Sequence, residues 1–168
     1  MTTVDYLNAC SADAFVAEIG FAFEDSPWIA RSAAERRPFA DRAALHAAMV
    51  DVVGRASDEA KVALIRAHPD LAGRVAREGR LTAASAAEQA GAGLDALSAA
   101  EIARFDADNG AYRERFGFPF VICARENTKA SILAALARRG TNERSAEIAT
   151  ALAEIAKIAR LRIDDAVS

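Results

Sequence analysis

Apolar residues recur every three to four positions along most of this chain, the spacing of helices with one buried face. "SADAFVAEIGFAF" opens on Ser11, a residue type that caps helix N-termini, and "SPWIARSAAERR" puts Pro27 in a first turn, where its missing N–H costs nothing. "DRAALHAAMVDVVGRA" carries Leu45, Met49, Val52 and Val53 on one face. "SDEAKVALIRA" has acids at its start, as the helix dipole favours, and ends ahead of Pro69. "SAAEIARFDADNGAYRERF" and "TKASILAALARR" follow, the second stopped by Gly140. The last segment, "NERSAEIATALAEIAKIARLRIDDA", is the longest. Its Ile148, Ala151, Leu152, Ile155 and Ile158 form a stripe, with Arg162 near the stripe's centre and Arg160 well off it. Only "FGFPFVICA" resists a helical reading, being aromatic, β-branched and interrupted by Pro119. The pattern predicts an all-α, single-domain helical bundle spanning 1–168, with one extended aromatic segment at about 117–124 buried between two helices. No linker-like stretch and no internal repeat divides it.

Composition narrows the classes of function. The 168 residues suffice for one real core, and 52% of them are hydrophobic. A net charge of −3 with both signs interspersed lacks the clustered basic face that nucleic acid requires. Arg36-Arg37 and Arg138-Arg139 read as isolated pairs on solvated helix surface. Cys10 and Cys123 stand far apart without metal-type spacing, and the chain has two histidines, so the expectation is free thiols, a reducing cytosol and no metal site. The N-terminus has no signal-peptide pattern, and no apolar run is long enough to span a bilayer. A cytoplasmic protein without a membrane partner is expected.

Four places could carry chemistry, each with a bland alternative. His68-Pro69-Asp70 sets an imidazole at a helix break, where it could donate or accept a proton near neutrality. Equally, a histidine at a helix C-terminus suits the dipole. His46, at the edge of an apolar stripe, reads as structural or solvated. In "LTAASAAEQAGAGL", Ser85, Glu88 and Gln89 would share one side of a helix, and a carboxylate beside an amide can read the N–H and C=O edges of a urea-like ring. Ser85-x-x-Glu88 is also the pattern of a capping box, repeated at Ser98-x-x-Glu101; Gly91 and Gly93 nearby would permit close approach. In the extended segment, packing accounts for Phe116 and Phe118, but exposed backbone groups need partners, and a polar planar ligand could supply them. Arg162 on an apolar face is costly unless it is paired or meets an anion; the alternative is fraying, with its head reaching water. Together these groups suit a cofactor-free enzyme acting on a small, planar, anionic, nitrogen-rich substrate.

In order and spacing these pieces resemble the 2-oxo-4-hydroxy-4-carboxy-5-ureidoimidazoline (OHCU) decarboxylases of the urate degradation pathway. The matching stretches are "AHPDLAG", "LTxxSxxEQxxAGL" from Leu81 to Leu94, "FNxxYxxRFGFPFVICAR" with substitutions at its start, "EIxKIAxLRI" near the end, and Arg139, Asn142 and Glu147 in the pattern "RxxNxxxxE". The likeness covers nearly the whole chain, and the combination is highly specific where "HPD" alone is not. One departure is "FDADNGAY", where an asparagine is expected soon after the phenylalanine; that face is read as structural.

The resemblance implies an all-helical lyase of purine metabolism, with homodimers common. It makes His68 the catalytic acid, with Glu88 and Arg162 beside it in the catalytic set. Pro69, Ser85, Ala86, Ala87, Glu88, Gln89, Phe120, Val121, Ile122, Cys123 and Ala124 become the substrate-binding residues. The implied reaction is loss of CO₂ to give (S)-allantoin. The ring itself accepts the electrons, so no cofactor is expected. The rivals are a J-type co-chaperone, which also displays His-Pro-Asp between helices, and a plain helical interaction module. Against the first, Leu71-Ala72-Gly73 follows the aspartate where those domains continue with Lys and Asn. The preceding helix is also balanced by Asp58, Glu59, Lys61 and Arg66, not basic.

Overall fold

A computed structural model describes residues 1–73 and 78–168. Among the described residues it contains helices and no strands, apart from one isolated parallel bridge between Thr2 and Val167. The helices are α1 (Val4–Ala9), α2 (Ala12–Ile19), α3 (Pro27–Ala34), α4 (Arg42–Arg55), α5 (Asp58–Ala67), α6 (Ala83–Gly91), α7 (Ala99–Phe116), α8 (Lys129–Arg139) and α9 (Arg144–Ala166). Short 3₁₀ turns cover Gly20–Ala22 and Ala124–Glu126.

Local chemistry explains most of the boundaries. Thr3, Ser11, Asp41, Thr82, Ser98 and Thr128 each accept a backbone N–H at a helix start through the side chain, and Pro27 stands at the start of α3. Gly117 closes α7 in the left-handed conformation that glycine adopts without cost, and Gly140 closes α8 in a right-handed one.

The contacts group into two compact units. The first holds residues 1–67 and 156–168, and its core is Leu7, Phe15, Ile19, Ile29, Leu45, Met49, Leu64 and Ile65. Here α3 packs on α2 and α4. The stripe predicted for α4 is buried at all four positions. The second unit holds residues 68–155, with α7 against α8 and α6 against the Ala124–Glu126 turn.

The core of this second unit is aromatic. Tyr112 lies 4.6 Å from Phe116 and 5.3 Å from Phe120, ring centre to ring centre, and Phe116 stacks on Phe118 at 5.9 Å. Each such pair adds roughly 0.5–1.5 kcal/mol beyond burial. Phe116 and Phe118 are therefore packing residues, as the sequence suggests. The helix-free stretch 118–123 passes through this core before the 3₁₀ turn begins at Ala124.

Candidate functional site

The break after α5 is a pinned turn. Pro69 disfavours helical backbone at His68, so α5 ends at Ala67. The His68 side chain is buried, at 6% exposure, and so is not a solvated helix cap. Around it, Arg113 Nη2 bonds Asp70 Oδ1 at 2.8 Å and Asn109 Nδ2 donates to the Leu71 carbonyl at 2.9 Å. The Ala72 amide donates to Gln89 Oε1 at 2.9 Å. Ala72 itself takes a positive φ of 53°, which an alanine holds only where its surroundings impose it. The close-approach glycine is Gly73: a Cβ there would fall 2.8 Å from the Asp70 Cβ. At Gly91 and Gly93, where close approach was expected, a Cβ would meet nothing within 4 Å; Gly93 instead serves a φ of 77°.

Helix α6 corrects the capping reading of Ser85. Its N-cap is Thr82, whose hydroxyl accepts from the Ser85 amide. Ser85 is therefore already inside the first turn, buried, and is not a capping residue. Sequence spacing cannot separate Thr82 from Ser85 as the start, because both are good caps three residues apart. The equivalent Ser98–Glu101 pair is a true capping box. Along α6, Gln89 is buried, Glu88 half-buried, and Ala86 and Ala87 are exposed. The Gln89 carbonyl oxygen is committed to Ala72, so the amide ties α6 to the His68 turn.

The extended segment is anchored from both sides. Arg139 is buried against it, which corrects the solvated-surface reading of the Arg138-Arg139 pair. Its Nη1 donates to the Val121 carbonyl at 2.8 Å, and its guanidinium lies 4.4 Å from the Phe120 ring centre. Arg139 Nε and Nη2 both reach Glu147 Oε1 at 2.6 Å, Tyr112 Oη donates to that same oxygen at 2.5 Å, and Asn142 Nδ2 donates to Oε2 at 2.9 Å. Burial first, and then the Glu147 carboxylate, push the Tyr112 hydroxyl well above its ordinary range, so it stays a proton donor. On the far side the Cys123 amide donates to Glu154 Oε2 at 2.9 Å, and Asn127 Nδ2 bonds the Cys123 carbonyl at 3.0 Å. Burial, joined by the charges of Glu126, Glu154 and Glu88, raises the Cys123 thiol above its usual value and keeps it protonated. Part of the backbone expected to meet a ligand is thus already satisfied within the protein. The Ile122 amide and carbonyl, between the anchors, take no hydrogen bond among the described residues.

Three of the four predicted places therefore lie in one unit. The His68 turn is bonded to α6 through Gln89, and α6 packs on the Ala124–Glu126 turn that ends the extended segment. Arg162 belongs to the other unit. It is buried, not frayed: its Nη1 bonds Glu24 Oε2 at 2.9 Å and the Phe21 carbonyl at 3.2 Å. His46 is structural, with Nε2 2.8 Å from the Ala156 carbonyl, a geometry that requires its proton on Nε2. Arg37 bonds the Leu7, Cys10 and Ala34 carbonyls, whereas Arg36 fits the surface reading, on Asp51.

The residues that sequence reasoning missed are Asn109, Arg113 and Glu154. Asn109 was legible in part. It stands three residues before Tyr112, so an asparagine is present in the supposedly departing stretch and faces the His68 turn. Among the described residues, no group of three or more His, Cys, Asp or Glu side chains could hold a metal ion, and no helix is long and apolar enough to cross a membrane.

The model of the OHCU decarboxylase family matches residues 8–164. An OHCU decarboxylase of Haloferax volcanii is 42% identical over 166 residues, covering 99% of this chain and 96% of that protein. The protein of the same name from Amia calva is 42% identical over 161 residues, covering 96% and 92%. A crystal structure of (S)-allantoin synthase superposes with a TM-score of 0.81 at 29% identity, over 100% of this chain and 54% of that one.

Proposed function

The chain belongs to the OHCU decarboxylase family, and from that premise we propose that it converts 2-oxo-4-hydroxy-4-carboxy-5-ureidoimidazoline into (S)-allantoin and CO₂ in urate degradation. The observation that carries the reading beyond the family match is the joining of the buried His68 turn to α6 through Gln89, with α6 packed beside the end of the extended segment. A J-type module needs its His-Pro-Asp turn exposed to a partner; here His68 is buried.

The chemistry follows from the substrate. Its carboxylate sits on the hydroxylated ring carbon 4, next to ring carbon 5, which is doubly bonded to nitrogen. Cleaving the carbon–carboxylate bond releases CO₂ and leaves an electron pair that carbon 5 and its nitrogen accept. A proton then goes to carbon 5, the hydroxyl of carbon 4 becomes a carbonyl, and the face protonated sets the handedness of allantoin. The ring is its own electron sink, so the protein supplies orientation, charge stabilisation and one proton.

We assign the proton to His68, with Glu88 orienting the hydroxyl and tuning the imidazole. Pro69, Ser85, Ala86, Ala87, Gln89 and the Phe120–Ala124 segment are assigned to holding the ring and the ureido group. Only the Nε2 end of Gln89 is left for that work, since Oε1 holds Ala72. The resemblance alone brings in Arg162, for an anionic or carbonyl part of the substrate. Action as one domain over 1–168, assembly as a homodimer and residence in the cytoplasm, where the free thiols Cys10 and Cys123 would stay reduced, complete the reading.

The test is circular dichroism of a coupled urate reaction, with urate oxidase and the hydrolase of the next step generating the unstable substrate in place. Adding this protein is expected to bring a rapid (S)-allantoin signal, and a folded His68→Asn variant is expected to lose roughly 10²–10⁴-fold in rate. Racemic product at the background rate with the wild-type protein sinks the activity; full rate in the variant sinks the role of His68 alone.

A further inference from the structure

Resting on that reading, we infer that the buried cluster of Arg139, Glu147, Tyr112 and Asn142 is a positioning device for substrate binding, which sets the peptide between Val121 and Ile122. None of these side chains is assigned to touch substrate. Their arrangement is nevertheless more specific than a core requires. Arg139 uses one edge of its guanidinium on a single carboxylate oxygen, Glu147 Oε1, and its Nη1 on the Val121 carbonyl, while its face covers Phe120. Two consecutive residues of the extended segment are thereby held by one planar group, at the ring and at the carbonyl.

The guanidinium is in turn held by its partner. Glu147 is fully buried, and its two oxygens receive Tyr112 from α7 and Arg139 and Asn142 from the end of α8 and the turn after it. A buried ion pair seldom gains stability over apolar side chains of the same size; its better-attested use is to fix one geometry. What this pair fixes is the orientation of the Val121 carbonyl. Glu154 independently holds the Cys123 amide, so the Ile122 peptide groups between the two anchors have little freedom to turn. Helix α7 links the two halves: Asn109 and Arg113 hold the His68 turn, and Tyr112, on the same helix, holds Glu147. Protonation by His68 is a separate step, so loosening the segment should weaken binding far more than it slows turnover.

The decisive variant is Arg139→Lys. It keeps the charge beside Glu147, but a single ammonium cannot replace a fork that meets the carboxylate and the carbonyl together. We expect KM in the coupled assay, and Kd for (S)-allantoin by calorimetry, each to rise roughly tenfold, with kcat changed much less. Tyr112→Phe removes one hydroxyl from the same carboxylate without changing volume, and should show the same split in smaller measure. It carries the test if the lysine variant does not fold. A purely structural cluster would lower the melting temperature and leave KM and Kd of the folded protein at wild-type values; that result overturns the inference. A wild-type protein that fails to turn over the substrate fails the assigned activity instead, and the two failures are told apart by running the wild type first.

Discussion

At the scale of single residues, Arg162 shows how one side chain can be read two ways. A guanidinium on an apolar face needs an anion, and Glu24 supplies one at 2.9 Å with both groups about 4% exposed. Removing the arginine alone takes the cation away from a buried carboxylate, so Arg162→Met is expected to cost about 3–5 kcal/mol in urea unfolding. Glu24→Leu combined with Arg162→Met removes both charges and should recover most of that loss. If Arg162 also meets substrate, the double variant stays inactive although stable. A stable and fully active double variant would reduce Arg162 to a brace.

Among the elements, α7 depends most visibly on its ends. Ser98 and Glu101 bond each other's backbone amides, and Lys129 at the start of α8 bonds the Glu101 carboxylate. The Lys129 contact first, and then the Ser98 amide, lower the Glu101 pKa below the ordinary carboxylate value. A lowered carboxylate pKa adds stability above the unfolded value, and the gain is lost as pH falls through the folded one. Wild type should therefore melt above Glu101→Gln at neutral pH. The gap should close as the solution is acidified below the ordinary glutamate range. An equal gap at both ends of the titration would show that the charge contributes nothing there. The mirror-image motif at Ser85 shows the limit of such patterns: the same letters were a cap at Ser98 and an interior turn at Ser85, because Thr82 took the capping position first.

For the molecule as a whole, the economy of the reaction makes the sharpest prediction. A substrate that accepts its own electrons leaves the protein only to bind, orient and protonate. Dialysis against a chelator, with no pyridoxal or thiamine added, is expected to leave the coupled rate unchanged. Loss of activity restored by a metal ion would overturn the cofactor-free mechanism.

The sequence by itself determined the all-α class, the breaks at Pro69 and Gly140, the stripe on α4 and the extended aromatic segment. Each follows from local rules: a period of 3.6 residues, a missing N–H, a glycine that tolerates a chain end. It also pointed to His68, Glu88 and Gln89 through residue type and spacing, and to Arg139, Asn142 and Glu147 through a motif whose purpose the motif could not state. Only the tertiary structure decided what Gln89, Asn109, Arg139 and Arg162 are bonded to. Their partners, Ala72, Leu71, Val121 and Glu24, lie 17, 38, 18 and 138 residues away along the chain. At those separations pairing is set by how whole helices pack and which buried charges must be satisfied, and that information is spread over the chain and absent from any one stretch.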